Sequence, residues 1–267
     1  MDVIDLAPEH YDVFACCLED WSDEAKEGAP RRAAWVARMA DQGLRAKLAV
    51  DDDGVVGGMI QYLPIERTWV EGEGLYFVPC TWVHGYRKGR GDRRKRGLGR
   101  ALLEAAEADA RSLGATGMAA WGLWLPIWMR ASWYRKHGYR RADRQGMAVL
   151  VWKPFTPEAL PPRWSRAPLR LPEPVPGTVQ VVAFATGWCM ALNMGIERAL
   201  AAAAELGDAV DVRVMDTTDP AVVAAWGRRG DALYVDGREV TLGPPPSYEK
   251  IHGILAKRVK RLARAGR

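Results

Sequence analysis

The 267-residue sequence is poor in cysteine, with only Cys16, Cys17, Cys80 and Cys189. Their spacing forms neither a zinc-ligand pattern nor a disulfide framework, so no metal is expected and a reducing compartment fits. Long hydrophobic runs are also missing: none reaches the length that spans a membrane. The opening residues, MDVIDLAPEHYD, are acidic and lack the basic-then-apolar layout of a secretion signal, which predicts a cytoplasmic protein. Two phosphate-binding signatures are absent too. No G-x-x-x-x-G-K-[ST] loop and no G-x-G-x-x-G turn occurs, so a nucleoside triphosphate or a dinucleotide is disfavoured. The two halves of the chain share no internal repeat.

What is present is uneven. Apolar residues make up 48% of the chain, enough for ordinary cores, and the length suits one large domain or two modest ones. The net charge of +5 is concentrated in two places. Residues 87–100 hold eight Lys or Arg against one Asp, and the closing AKRVKRLARAGR is the second basic run. A local anion site follows more naturally from this than a basic face over the whole molecule.

Proline marks the main internal boundary. Seven prolines fall among residues 156–177, which opposes a helix or a central strand and favours an extended spacer. This divides the chain into a domain over 1–155, a linker over 156–177 and a domain over 178–267. Apolar periodicity in the first part predicts two helices, in PEHYDVFACCLEDW and APRRAAWVARMADQG, with Gly43 capping the second. The first of these contains Cys16 and Cys17, read as small buried hydrophobes. Strands are predicted in LRAKLAVD, VVGGMIQYLPI and EGLYFVPCTWVHG. A helix over 98–113, a strand in ATGMAAWGLWL, a short helix in PIWMRASWYRKHG and a last strand in QGMAVLVWKP follow. The fold class is mixed α/β around a central sheet. After the linker the predicted order is βαβαββα, with Asp236-Gly237 as a hairpin turn and Ser247 as the cap of the final helix.

The stretch GYRKGRGDRRKRGLGRALL sits between a strand and a helix. Backbone N–H groups at a helix start point outward, the helix dipole favours negative charge there, and glycines let a ligand approach the backbone closely. Within it, Arg94-Lys95-Arg96-Gly97-Leu98-Gly99 has the form R-x-x-G-x-G. Thirty-odd residues on, ASWYRKHGYR follows the order Ala, then Tyr, then Lys-x-Gly-Tyr. Together with the two leading helices and the strand ending in CTWVHG, these segments make residues 1–155 resemble the GNAT N-acetyltransferases.

That resemblance implies acetyl-CoA as co-substrate and an amine as acceptor. Backbone N–H groups of Lys95, Arg96, Gly97, Leu98 and Gly99 would hold the pyrophosphate, with Arg94 and its basic neighbours, Arg100 included, meeting phosphate oxygens. Thr81, Trp82 and Val83 would lie along the pantetheine arm. Tyr134 would protonate the departing thiolate, a role that suits a phenol because its pKa exceeds that of a thiol. Two departures stand out: the loop between Val83 and Arg94 is several residues longer than the family norm, and Ile127 replaces an Asn common seven residues before the Tyr. The general base is not legible; Glu66 and Glu73 lie beside predicted strands and are equally suited to being solvated strand-end charges.

After the linker, GWCMALN places Trp188-Cys189 between a strand and a helix start, where a thiolate is stabilised. The element order and this pair resemble the thioredoxin-like domain of YoaP-type acetyltransferases. Leu192 replaces the second active-site Cys, and Asp231 lies where the cis-Pro of thioredoxins is expected, which opposes dithiol chemistry. Cys189 therefore reads either as a monothiol or substrate-binding residue or as an inert buried one. Two alternatives to acetyl transfer stay open. One is a nucleic-acid-associated protein using both basic runs, whose affinity would fall steeply with salt; nucleic acid is disfavoured because glycines interrupt the basic run beside a helix start. The other is a thiol protein acting through Cys189.

Overall fold

The computed structural model describes residues 1–125, 129–240 and 244–265. Two compact units divide the chain: Met1–Ser22 with Val36–Arg166, and Asp23–Trp35 with Ala167–Arg267. Residues 23–35, read from sequence as part of the first domain, cluster with the second unit.

The first unit starts with a strand that the sequence reading did not contain, β1 (Asp2–Asp5), followed by a short helix α1 (Tyr11–Ala15). The helix in the sequence reading ran on to Trp21. It stops early because Cys17 and Leu18 take left-handed backbone angles, φ 52° and 65°, and turn the chain back. Cys16 caps α1 and Leu18 is fully buried, so the turn is pinned by the core. Helix α2 runs Asp23–Ala40 and so begins before Pro30, which sits inside it; Gly43, at φ 91°, ends it.

Strands β2 (Arg45–Val50), β3 (Val56–Pro64), the two-residue β4 (Val70–Glu71) and β5 (Leu75–Val83) precede α3 (Leu98–Ser112). Then come β6 (Gly117–Leu123), α4 (Ala131–Lys136), β7 (Arg140–Gln145), β8 (Ala148–Pro154) and β9 (Arg163–Trp164). The main sheet has the order β1-β2-β3-β5-β6-β8-β7. Its pairs are antiparallel except β5 and β6, which run parallel because α3 crosses between them. Leu98, Leu102, Leu103, Ala106 and Ala110 of α3 pack against Ile60, Tyr62, Val78, Met118 and Ala120. A second cluster contains Phe77, Leu150, Trp152 and Trp164. Trp164 reaches it because β9 pairs with β4, so part of the proline-rich segment is ordered against the first unit.

The second unit holds β10 (Val179–Ala185), α5 (Met190–Leu206), β11 (Val210–Asp216), α6 (Pro220–Trp226), β12 (Ala232–Val235), β13 (Arg238–Glu239) and α7 (Tyr248–Ala265). Its sheet order is β11-β10-β12-β13, with β10 parallel to β11 and antiparallel to β12. Every residue of β10 is buried, as its run of apolar residues on both faces demands. Asp219 caps α6 by accepting from the Ala221 N–H at 2.8 Å, and Pro220 follows at the first helical position. Asp236 and Gly237 both have positive φ, as a tight hairpin turn requires. The Ser247 hydroxyl accepts from the Lys250 N–H at 3.3 Å at the start of α7. The far end of the hairpin at Thr241 and Leu242, Gly243, and the last two residues of the basic tail lie outside the described residues.

Candidate active site

The site in the first unit begins with a gap between two strands. β5 and β6 pair only over Leu75–Val78 and Gly117–Ala120, although β5 runs on to Val83 and β6 to Leu123. Two features of β5 cause this. Pro79 cannot donate to a ladder, and the register against β3 shifts between Gln61 and Leu63. The Trp121 indole N–H enters the gap and donates to the Pro79 carbonyl at 2.9 Å. Beyond Val78 the β6-facing edge of β5 has no strand beside it among the described residues, so its peptide groups can pair with an extended ligand.

The shift also re-aims the side chains past Pro79. Thr81 and Val83 face the helices: the Tyr134 hydroxyl lies 3.2 Å from the Thr81 hydroxyl, and Val83 packs on the α3 cluster. Trp82 and His84 face the opposite way. Tyr134, on α4, is 3% exposed, and burial pushes its phenol pKa well above the ordinary value, opposed in part by the bond to Thr81. The hydroxyl therefore stays protonated at neutral pH. Trp133, beside it, lies over Gly99.

At the start of α3, Gly97 has φ 88° and Lys95 φ 64°, and no side chain caps the helix. Arg94 and Lys95 form a turn, and among the described residues no acceptor is found for the backbone N–H groups of Lys95, Gly97, Leu98 or Gly99. Helix geometry leaves such donors free at an N-terminus. The side chains of the loop behave differently from the sequence expectation of a bare positive patch. Arg94 makes two bonds to Asp92, at 2.9 and 2.7 Å, which hold the Asp92 carboxyl far below its usual range. Arg96 and Arg93 reach Asp51 at 2.7 and 3.1 Å, Arg93 also reaches Asp53, Arg90 grips Asp20, and Arg100 pairs with Glu104. Arg87, Lys88 and Lys95 are exposed and have no acidic partner among the described residues. The free donors at this site belong to the backbone, while most of its arginines are occupied in shaping the loop.

A polar cleft of about 330 Å³ adjoins this helix start, lined by Arg100, Glu104 and Glu107 of α3 together with Lys136, His137 and Lys153. Lys153 bonds Glu107 at 2.6 Å and the His137 carbonyl at 3.3 Å, tying β8 to α3 and to the end of α4. Glu66 and Glu73 lie elsewhere. The Glu66 carboxylate accepts from the Gly74 N–H at 2.7 Å, and Glu73 is exposed on the same turn, at the opposite end of β5 from the gap. Ile127 lies outside the described residues.

Residues 8–139 match the model of the acetyltransferase (GNAT) family. They form a GNAT acetyltransferase domain. The chain thus carries an acyl-CoA N-acyltransferase. Solved structures similar to it include PaiA N-acetyltransferase of Thermoplasma acidophilum in complex with coenzyme A. That likeness has 15% identity and a TM-score of 0.42, over 58% of this chain and 100% of that one. A GNAT acetyltransferase of Brucella melitensis in complex with acetyl-CoA is 18% identical over 62% of this chain and 96% of its own, with a TM-score of 0.39. The aminoglycoside 6'-N-acetyltransferase of Enterococcus faecium is 18% identical over 59% and 99%, with a TM-score of 0.44. No curated protein matches the chain. No helix among the described residues is long and apolar enough to cross a membrane.

The acetyltransferase domain also contains a group of residues that sequence reasoning missed. The long loop after β5 folds onto the segment following α1. The Trp21 indole N–H donates to His84 Nε2 at 3.2 Å, while His84 Nδ1 lies 2.7 Å from the Gly91 carbonyl. The two partners dictate an imidazole protonated at Nδ1 alone. Gly89, at φ 62°, lies so close to Trp21 that a Cβ there would overlap the indole. Arg90 adds two bonds to Asp20, at 3.0 and 3.2 Å. The extra residues of the loop thus fasten Trp21 in place. The turn that presents Trp21 holds consecutive left-handed residues, Cys17 and Leu18, at ~1–2 kcal/mol for each.

In the second unit, Cys189 is the N-cap residue of α5 and is 8% exposed. Asp231 accepts hydrogen bonds from both the backbone N–H and the hydroxyl of Thr186, just before it. Burial raises the Asp231 pKa to about 6 against the pull of those bonds. Residues 23–35 cover this turn. Gly187, at φ 96°, packs against Trp35, the Asn193 amide donates to the carbonyls of Gly187 and Gly28, and Gly28 touches the Met190 carbonyl. No group of acidic, Cys or His side chains suited to a metal ion occurs among the described residues.

Proposed function

We propose that the chain moves an acetyl group from acetyl-CoA to an amine of a small molecule or peptide by direct attack. The observation that carries this reading is the open edge of β5, which leads from Tyr134 to the free N–H groups at the start of α3. The N–H groups of residues 95–99 bind the pyrophosphate with the helix dipole behind them. Arg94, Lys95, Arg96 and Arg100 add positive potential around it, and the cleft beside Arg100 accommodates the rest of the nucleotide. The edge of Thr81, Trp82 and Val83 holds the pantetheine arm and polarises the acyl carbonyl. The bound thioester supplies an activated acyl carbon. The neutral amine attacks it, the new C–N bond forms, the C–S bond breaks, and the nitrogen gives up its proton to a base or to water.

Tyr134 donates its proton to the sulfur as it leaves. Its burial keeps the phenol protonated at neutral pH, so the proton is in place when the thiolate departs. On this reading Tyr134→Phe lowers turnover about a hundredfold while acetyl-CoA affinity is unchanged. Full turnover removes the residue from this role. Calorimetry of acetyl-CoA with the full chain tests the cofactor; Arg94→Ala with Lys95→Ala weakens binding several-fold, and an absence of binding by the unaltered protein overturns the reading.

We further propose that residues 178–267 form a thioredoxin-like domain of the YoaP type, reached by the linker at 156–177 from the acetyltransferase domain at 1–155. Its support is the order βαβαββα with β10 between β11 and β12. Buried beneath residues 23–35, Cys189 is an unreactive thiol in this arrangement. Ellman's reagent should modify it orders of magnitude more slowly than a free thiol; rapid reaction restores the monothiol reading. A cytoplasmic location suits an enzyme whose cysteines form no disulfide among the described residues and that uses this co-substrate.

A further inference from the structure

The rings of Trp21, Trp82 and Tyr86 gather on the side of β5 away from Tyr134. Tyr86 meets Trp21 at 5.9 Å between ring centres and 73° between planes, and Trp82 at 6.4 Å and 49°. Large aromatic residues are normally hidden, yet Tyr86 is 46% and Trp21 38% exposed. The Trp82 indole N–H is buried and has no acceptor among the described residues. Glu19 leads into this group from the strained turn. Its carboxylate is half-buried and makes no ion pair among the described residues, and its charge acts on the Tyr86 phenol. Neighbouring Asp20, by contrast, is neutralised by Arg90.

A cation suits the carboxylate and the ring faces of this set, whereas the Trp82 N–H, a donor, calls for an acceptor elsewhere on the same ligand. Aromatic faces attract cations through their quadrupoles, and the attraction grows where water is partly excluded. A half-buried carboxylate without a partner has lost hydration that an opposite charge restores. The nearby Arg87 and Lys88 are exposed, so water and salt screen them. Packing alone does not require Tyr86, because His84, Gly89 and Arg90 already hold the loop on Trp21.

We propose that Glu19 with the rings of Trp21, Trp82 and Tyr86 forms a subsite for a cationic group of the acceptor. This inference rests on the acetyltransferase reading and names its substrate class: an amine carrying a second, non-reacting positive charge. The cation held here is not the nucleophile. A carboxylate and aromatic faces stabilise the protonated form of an amine, which has no lone pair with which to attack. A second nitrogen on the same molecule reaches the thioester.

Three acceptors of nearly equal shape separate this from a structural role: cadaverine, aminopentanol and aminovalerate, which carry a positive, neutral or negative group at the far end. Thiol release from acetyl-CoA should give kcat/KM for cadaverine about tenfold above aminopentanol, with aminovalerate lowest. Glu19→Gln and Tyr86→Leu should each erase most of that preference with little change for aminopentanol and none in acetyl-CoA affinity. Equal kcat/KM for the three acceptors overturns the subsite, as does an equal loss for all three in both variants.

Calorimetric titration of the full chain with cadaverine alone reads the subsite without catalysis. Millimolar or tighter binding that Glu19→Gln abolishes supports it, and no binding by the unaltered protein overturns it. If acetyl-CoA fails to bind, the acetyltransferase reading falls while this titration still decides the subsite.

Discussion

Each unit contains a strand followed by a helix whose start is approached through a glycine of positive φ, after a long loop in the first unit and a short turn in the second. In the first, β5 leads to α3 through Gly97; in the second, β10 leads to α5 through Gly187. The two ends have opposite fates. At α3 the arginines of the loop are turned toward Asp51, Asp53 and Asp92, and the peptide N–H groups are left open. At α5 residues 23–35 lie over the turn, and the amide of Asn193 ties Gly187 to Gly28. A helix N-terminus attracts anions in principle, but the attraction serves a ligand only where the backbone is reachable. The first end is built as a binding site and the second as a packed joint.

The largest test of this contrast is at Asp231. Its folded pKa of about 6 exceeds the unfolded value of 3.8, so the folded state holds more protons between about pH 4 and 6. Stability therefore falls as pH rises through that window, and a cost of roughly 3 kcal/mol persists above it. Asp231→Asn keeps an oxygen for Thr186 and removes the charge. It should stabilise by about this amount at pH 7.5 and by almost nothing near pH 4 in denaturant titrations. A gain independent of pH contradicts a buried, charge-disfavouring joint.

Next in size is Gly28. Alanine within a helix ordinarily stabilises, but here its Cβ would overlap the Met190 carbonyl, so Gly28→Ala should cost about 2 kcal/mol. A stabilised variant means the joint is loose. At the open end nothing lies within 4 Å of a Cβ on Gly97. Gly97→Ala therefore carries only the cost of its positive φ, ~1 kcal/mol, and should weaken acetyl-CoA binding several-fold in calorimetry. Unchanged affinity would detach the helix start from the cofactor. The smallest effect is at exposed Gly253 in α7, also without neighbours. Gly253→Ala should raise stability by just under 1 kcal/mol in thermal or urea unfolding, the reverse of Gly28→Ala.

The acetyltransferase domain was legible where local chemistry sufficed. Glycines beside a helical apolar pattern marked the start of α3, and Pro79 warned of irregularity in β5. Missed elements lacked such a signal. β1 is four residues, DVID, with only two apolar side chains between aspartates, and β7, RRADRQ, is an exposed edge strand with no apolar stripe. Pro30 resembles a helix start, so the first turns of α2 went unread. The partners of the basic loop were invisible because Asp20, Asp51 and Asp53 lie dozens of residues away in sequence. Counting charges within residues 87–100 suggested a naked cluster, whereas the fold pairs five of its eight cations with carboxylates. Glu19 and Trp21 escaped for a similar reason, since two left-handed non-glycine residues present them, and no residue preference announces that geometry.

Helix α2 is one unbroken element from Asp23 to Ala40, yet its residues up to Trp35 belong to one compact unit and those from Val36 to the other. For a gene this is an unusual commitment. Recombination at the proline-rich segment, the obvious seam in the coding sequence, would deliver a C-terminal part stripped of the helical turns that carry Glu27, Arg31 and Trp35. Arg198 and Glu197 would lose their ion-pair partners, and Gly187 its packing against Trp35. A transplant of the C-terminal part therefore succeeds only if the first turns of α2 travel with it.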